Sequence, residues 1–163
     1  MDQVRVVYAL QEFPDPKIPS IFLAGPTPRK SYTKSWRPRA LQMIRRYRQD
    51  PVVYYPEPEA ADKWSPDDDA HLNWRRTAMM RSTVILFWVD RKIDAMPGFR
   101  TNTDWGYWTA RDPERLVLAY PLKAPGMRGM YNDALCYDIP YVHSLSAGIS
   151  VAVEKALQRR LLH

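Results

Sequence analysis

The sequence predicts an α/β fold: a flavodoxin-like doubly wound sheet of about five parallel strands, order 2-1-3-4-5, with helices on both faces. Three observations lead there. Short apolar runs rich in β-branched and aromatic residues alternate with longer amphipathic runs, the pattern of repeated strand–helix–strand units. One run, Thr83 to Val89, is apolar at nearly every position, as a central strand covered on both faces must be. The chain has 163 residues, 45 % of them apolar, enough to bury one core, so 1–163 is expected to be a single domain.

Each element has its own justification. Val4 to Leu10 reads as an extra edge strand, and Phe13 to Pro19 as a proline-rich tether. Ser20 to Ala24 is the first parallel strand, broken by Gly25-Pro26. Ser35 to Arg48 places Trp36, Ala40, Leu41, Ile44 and Tyr47 at helical spacing. Val52 to Tyr55 is the second strand, ended by Pro56-Glu57-Pro58. Pro66 to Arg81 opens with Ser65-Pro66-Asp67, a Ser cap followed by Pro at the first helical position and acid in the first turn. The third strand is Thr83 to Val89, with Asp90 at its carboxyl end. A loop from Arg91 to Thr101 carries Pro97-Gly98 and leads to a helix from Asn102 to Arg111. Leu116 to Tyr120 is the fourth strand. A connector rich in Pro, Gly and Met then precedes a short helix near Tyr131 to Cys136, a strand at Tyr141 to His143 and a helix from Ser146 to Leu161. The fifteen prolines argue for rigidity, not for a function.

Charge and composition narrow the function classes. The net charge of +6 permits an anionic ligand, but Arg29, Lys30, Arg37, Arg39, Arg45, Arg46, Arg75, Arg76, Arg159 and Arg160 are scattered, which reads as a solvated face. A nucleic-acid groove is the minority reading. The single cysteine, Cys136, makes no internal disulfide, and the N-terminus does not resemble a cleavage signal, so a cytoplasmic location is expected. No apolar run approaches the roughly 20 residues of a spanning helix, so no membrane is expected as a partner. His71, His143 and His163 are far apart and no zinc-like spacing occurs. No Gly-x-Gly-x-x-Gly or Walker-type loop is present, and no metal or cofactor is expected.

The chemistry concentrates in Arg100-Thr101-Asn102-Thr103-Asp104-Trp105-Gly106-Tyr107, between the apolar central strand and the next helix. In open sheets of this topology ligands lie across the carboxyl ends of the strands at the switch point. Gly25-Pro26-Thr27 and the segment from Asp90 onward begin there and should line one crevice, with Asp104 over the same pocket. Asp104 is the candidate nucleophile. Its bland reading is a helix N-terminal carboxylate, a role that Thr101 or Asn102 can fill instead.

Ile21-Phe22-Leu23-Ala24-Gly25-Pro26, Asn73-Trp74, Val84-Ile85-Leu86-Phe87-Trp88 and Thr101-Asn102-Thr103-Asp104-Trp105-Gly106, in this order, resemble the nucleoside 2-deoxyribosyltransferase-like family. The resemblance runs from about Ser20 to Leu157 and implies a retaining, cofactor-free glycosyl transfer between nucleosides and free nucleobases. A carboxylate attacks the anomeric carbon, the base leaves, and a second base reclaims the sugar. It also implies a homo-oligomer with shared active sites, in which Asn132 reaches the sugar of a neighbouring subunit.

The chain departs from that family in three ways. Asp104 stands where the family usually has Glu in a Glu-x-Gly context. Arg75 and Arg76 follow Trp74 where many relatives carry an acid, so Asp90 or Asp69 would orient or protonate the base. Ile21-Phe22 replaces a first-strand tyrosine that steadies the nucleophile. The resulting candidate set is Asp104 and Asp90 as catalytic groups, with Gly25, Pro26, Thr27, Asp69, Trp74, Trp88, Asn102, Tyr131 and Asn132 as substrate contacts. Gly25 is chosen because a residue without Cβ lets backbone approach a ligand. Trp74 and Trp88 are read either as base-stacking groups or as core. Three other activities stay open: a hydrolase of nucleosides or nucleoside monophosphates, a nucleotide-sensing module with weakened catalysis, and a basic nucleic-acid binder.

Overall fold

The computed structural model describes residues 4–47, 51–60 and 68–160. Six strands form one sheet: β1 (Val6–Tyr8), β2 (Ser20–Ala24), β3 (Val52–Tyr55), β4 (Val84–Trp88), β5 (Leu116–Ala119) and β6 (Tyr141–Val142). Their order is β1-β3-β2-β4-β5-β6, and every pairing is parallel. This is the expected 2-1-3-4-5 order with the N-terminal run added at one edge, so the sheet has six strands where five were counted.

Five helices connect them: α1 (Arg37–Ile44), α2 (Asp69–Arg81), α3 (Phe99–Arg111), α4 (Arg128–Cys136) and α5 (Leu145–Arg160). Because side chains alternate across a strand, β2 sends Phe22 and Ala24 to one face and Ile21 and Leu23 to the other. The first face packs Trp74 and Ala78 of α2, Trp105 and Trp108 of α3, and Met130 of α4. The second packs Ala40 and Ile44 of α1 and Ile149 and Val153 of α5. Burial of β4 on both faces explains its unbroken apolar sequence.

Helix boundaries differ from expectation in four helices. α3 begins at Phe99, three residues early, because Gly98 takes a left-handed conformation (φ +70°) that turns the loop straight into the helix with no side-chain cap. The Pro97-Gly98 signal therefore marks a helix start and not the middle of a loop. α4 begins at Arg128, with Gly129 inside its first turn. α2 is capped by Asp68, whose side chain accepts from the Ala70 N–H at 2.8 Å, and the predicted Ser65-Pro66-Asp67 start lies outside the described residues. α1 is shorter than expected, ending at Ile44, and Arg48 likewise lies outside the described residues.

The solvated reading of the basic residues also needs correction. Arg37 and Arg75 are 0 % and 7 % exposed, and Arg91 and Arg115 are buried as well. Buried guanidinium groups need hydrogen-bond partners, and each of these four has at least one: Arg115, for example, donates to the Met79 and Ser82 carbonyls and so caps the carboxyl end of α2. Among the described residues no helix is long and apolar enough to cross a membrane.

Candidate active site

The site is built from the loops that leave the carboxyl ends of β2 and β4. After β2 the chain turns at Gly25 (φ +149°), where a Cβ would collide with the Trp88 carbonyl oxygen and approach the Trp36 ring at 2.9 Å. Only glycine lets the two strand ends lie this close. Arg37, entirely buried, clasps the same turn. Its Nε donates to the Leu23 carbonyl at 3.0 Å, Nη2 to the Gly25 carbonyl at 2.8 Å, and Nη1 to Thr27 Oγ1 at 3.0 Å and to Glu57 at 3.3 Å. Trp36 adds a bond from its indole N–H to the Pro26 carbonyl at 3.0 Å.

The β4 loop meets this turn. The Arg29 N–H donates to the Ala95 carbonyl at 2.8 Å, and Gly98 packs so tightly on Pro26 that a Cβ there would lie 2.9 Å from its ring. Arg91 braces the loop from within, donating to the Pro97 carbonyl at 3.1 Å and to Asn102 Oδ1 at 2.6 Å. Between the two loops lies a cavity of about 340 Å³, lined among others by Gly25, Thr27, His71, Arg75, Arg100 and Thr101. A second cavity of about 500 Å³ continues between α2 and α3, where Leu72, Met79, Tyr107 and Trp108 supply apolar wall. Arg29, Arg75, Phe99 and Arg100 border both.

Asp104 lies in the second turn of α3, not in the preceding loop, and lines the second cavity. Its Oδ2 accepts from two nitrogens of Arg75, Nε at 3.1 Å and Nη2 closer still. Oδ1 takes no hydrogen bond among the described residues. Arg75 in turn lies over the ring of Phe22, 5.4 Å from its centroid. The second and third departures thus meet in space: Arg75, which follows Trp74, lies over Phe22 of the first-strand Ile21-Phe22 pair and bonds Asp104. His71, 4 % exposed, has its pKa lowered by burial and then by the charges of Arg75, Arg100 and Arg37, so it is neutral at pH 7.

The other candidates are spread more widely. Gly25, Pro26 and Thr27 line the first cavity. Asp90 follows β4 half-buried and lines neither cavity, and Asp69 is exposed in the first turn of α2. Trp74 and Trp88 belong to the two core layers, Trp74 stacked on Phe13 at 5.6 Å with its N–H on the Gln11 carbonyl. Asn102 is exposed and accepts from Arg91 through Oδ1, and it lines neither cavity. Tyr131 packs edge-on against Tyr141 at 5.0 Å, and Asn132 is exposed on α4, whose neighbouring Asp133 is tied to the Trp105 indole at 2.9 Å.

Sequence reasoning assigned no site role to Arg37 or His71, and noted Arg75 only as a departure from the family's pattern. The available signal for Arg75 was its place one residue after Trp74 on a helix adjoining the switch point. Residues 18–121, from the approach to β2 through β5, match the family model described as nucleoside 2-deoxyribosyltransferase like. No curated protein matches the chain.

Proposed function

The chain belongs to the nucleoside 2-deoxyribosyltransferase-like family, and on that premise we propose that it exchanges the base of a (deoxy)ribonucleoside through a covalent glycosyl ester on Asp104. The observation that carries this reading is the carboxylate itself: Asp104 sits in the wall of the cavity between α2 and α3, with one oxygen held by Arg75 and the other unengaged among the described residues.

In the first half-reaction Asp104 Oδ1 attacks C1′, the C1′–N bond breaks, and its electron pair leaves on the base nitrogen, which takes a proton from solvent. In the second, a nitrogen of the incoming base attacks C1′, the ester C–O bond breaks, and the pair returns to the carboxylate as the new base gives up its proton. Two inversions give net retention. Arg75 orients the carboxylate and offsets its charge between turnovers. Asp90, proposed from sequence to handle the proton, has no wall in either cavity, so this mechanism does not use it. His71, being neutral, contributes a hydrogen bond to base or sugar and not an acid's charge.

The Arg75–Asp104 pair also favours a second reading, because a carboxylate held by a guanidinium group is a weaker nucleophile. In that reading the chain binds nucleotides without turning them over. The deciding experiment incubates the protein with deoxyinosine and free adenine, beside Asp104→Ala, and follows bases and free sugar by chromatography. Deoxyadenosine from wild type alone supports transfer and the nucleophile. Free sugar without acceptor identifies a hydrolase, and binding with no product across purine and pyrimidine pairs supports the sensing module.

A further inference from the structure

Arg75 is the one residue of α2 that faces both cavities and the candidate nucleophile together. It is 7 % exposed, its plane is backed by Phe22, and two of its nitrogens are committed to Asp104 Oδ2. Its third nitrogen, Nη1, makes no hydrogen bond among the described residues. The strand-end cavity it borders has Arg29, His71, Arg75 and Arg100 as its ionisable lining groups among the described residues, and no carboxylate. The first turn of α3 also opens on that cavity, beginning at Gly98 without a side-chain cap. Uncapped backbone N–H groups beside guanidinium groups make a receptor for a compact oxyanion, and a phosphate ester matches both the charge and the fork geometry.

Resting on the function proposed above, we propose that Arg75 is a specificity-determining positioning residue shared between two anions. A phosphate ester carried by the substrate binds in the strand-end cavity, engages Arg75, and loosens its hold on Asp104. The nucleophile is therefore released by the substrates that carry the phosphate and stays restrained with those that do not. Such coupling is reciprocal: whatever the phosphate takes from the carboxylate, the carboxylate takes from the phosphate.

The test is a double-mutant cycle read by calorimetric titration of inorganic phosphate into the full chain at fixed ionic strength. Wild type binds phosphate, and Asp104→Asn binds it about tenfold more tightly, within the usual range of coupling between sites. Arg75→Gln binds it about tenfold more weakly, and in that background Asp104→Asn changes the affinity by less than about twofold. Should the glutamine variant not fold, Arg75→Lys takes its place in the cycle: it keeps the cation, binds phosphate, and shows a smaller gain from Asp104→Asn than wild type.

A kinetic arm compares deoxyinosine with deoxyinosine monophosphate, adenine being the acceptor. Wild type favours the phosphorylated substrate in kcat and not only in KM, and the variant at Arg75 loses the preference in kcat. No phosphate binding by wild type, an undiminished Asp104→Asn gain without Arg75, or an equal loss of kcat on both substrates in the Arg75 variant overturns the proposal. If wild type turns over neither substrate, the function reading fails while the phosphate cycle still decides the shared-cation site on its own.

Discussion

Arg37 carries a charge in a place with no solvent at all, and the turn after β2 is arranged around it. Burial pulls its pKa below the usual guanidinium value while the Glu57 carboxylate pushes it back up, and four acceptors converge on its donors. Removing it strands the Leu23 and Gly25 carbonyls without their donor and leaves Glu57 without its cation. Arg37→Met should therefore cost about 2–5 kcal/mol, the range for breaking a buried charged hydrogen-bond set. Urea unfolding checks it, as a lower midpoint with an unchanged slope. Neither Arg37 nor Arg75 was legible in the sequence as a buried, bonded group, Arg75 standing out only as a departure from the family's pattern. Each stands among other arginines, and what distinguishes Arg75 is a partner 29 residues away on another helix. Asp104 was singled out because its neighbours form a motif, but its place in the second turn of α3, on the α2–α3 cavity and not on the one lined by Gly25, Pro26 and Thr27, was not foreseen.

At the level of elements, two helical glycines that look alike in sequence behave oppositely. Gly106, two residues after Asp104 in α3, has nothing within 4 Å of where a Cβ would stand. Gly148 in α5 has the Ala119 Cβ at 2.7 Å, well inside the roughly 3.5–4.0 Å optimum for two carbons. Gly106→Ala should stabilise the chain by about 0.5–1 kcal/mol through helix propensity alone. Gly148→Ala gains the same propensity but must move α5 off the sheet, and overpacking at about 1–3 kcal/mol outweighs it. Thermal melts of the two variants should shift in opposite directions. The strands were readable from the sequence because complete burial of β2 and β4 demands uninterrupted apolar residues. Helix starts were less readable, since α3 and α4 begin without polar caps and the cap residues sought at Thr101 and Asn102 lie inside the helix.

Across the whole molecule, the carboxyl ends of the strands collect positive charge. Arg29, Arg75 and Arg100 border the cavities with Arg37 just beneath, and His71 sits among them. This sets a sign for pH dependence. The imidazole is harder to protonate in the folded protein than in the unfolded chain, whose histidine has a pKa of about 6.5. Above that value both states are neutral and His71 contributes nothing. As pH falls below it the unfolded chain takes up the proton first, so stability declines until the lowered folded value is passed. Urea midpoints at pH 7.5 and 5.5 should show this loss in wild type and less of it in His71→Gln. The strand order was legible because right-handed crossovers and alternating elements leave few arrangements for a parallel sheet. The convergence of cations was not, because it arises from four segments that only the closed sheet brings to one rim.

The bond from the Arg29 N–H to the Ala95 carbonyl joins the loops on either side of the strand-end cavity through main chain alone. This tie is made of groups that no side-chain substitution at either residue removes, proline at Arg29 excepted. Lineages of this chain can exchange Arg29 and Ala95, retuning charge and shape for new ligands, without losing that tie, whereas Gly25 and Gly98 must stay.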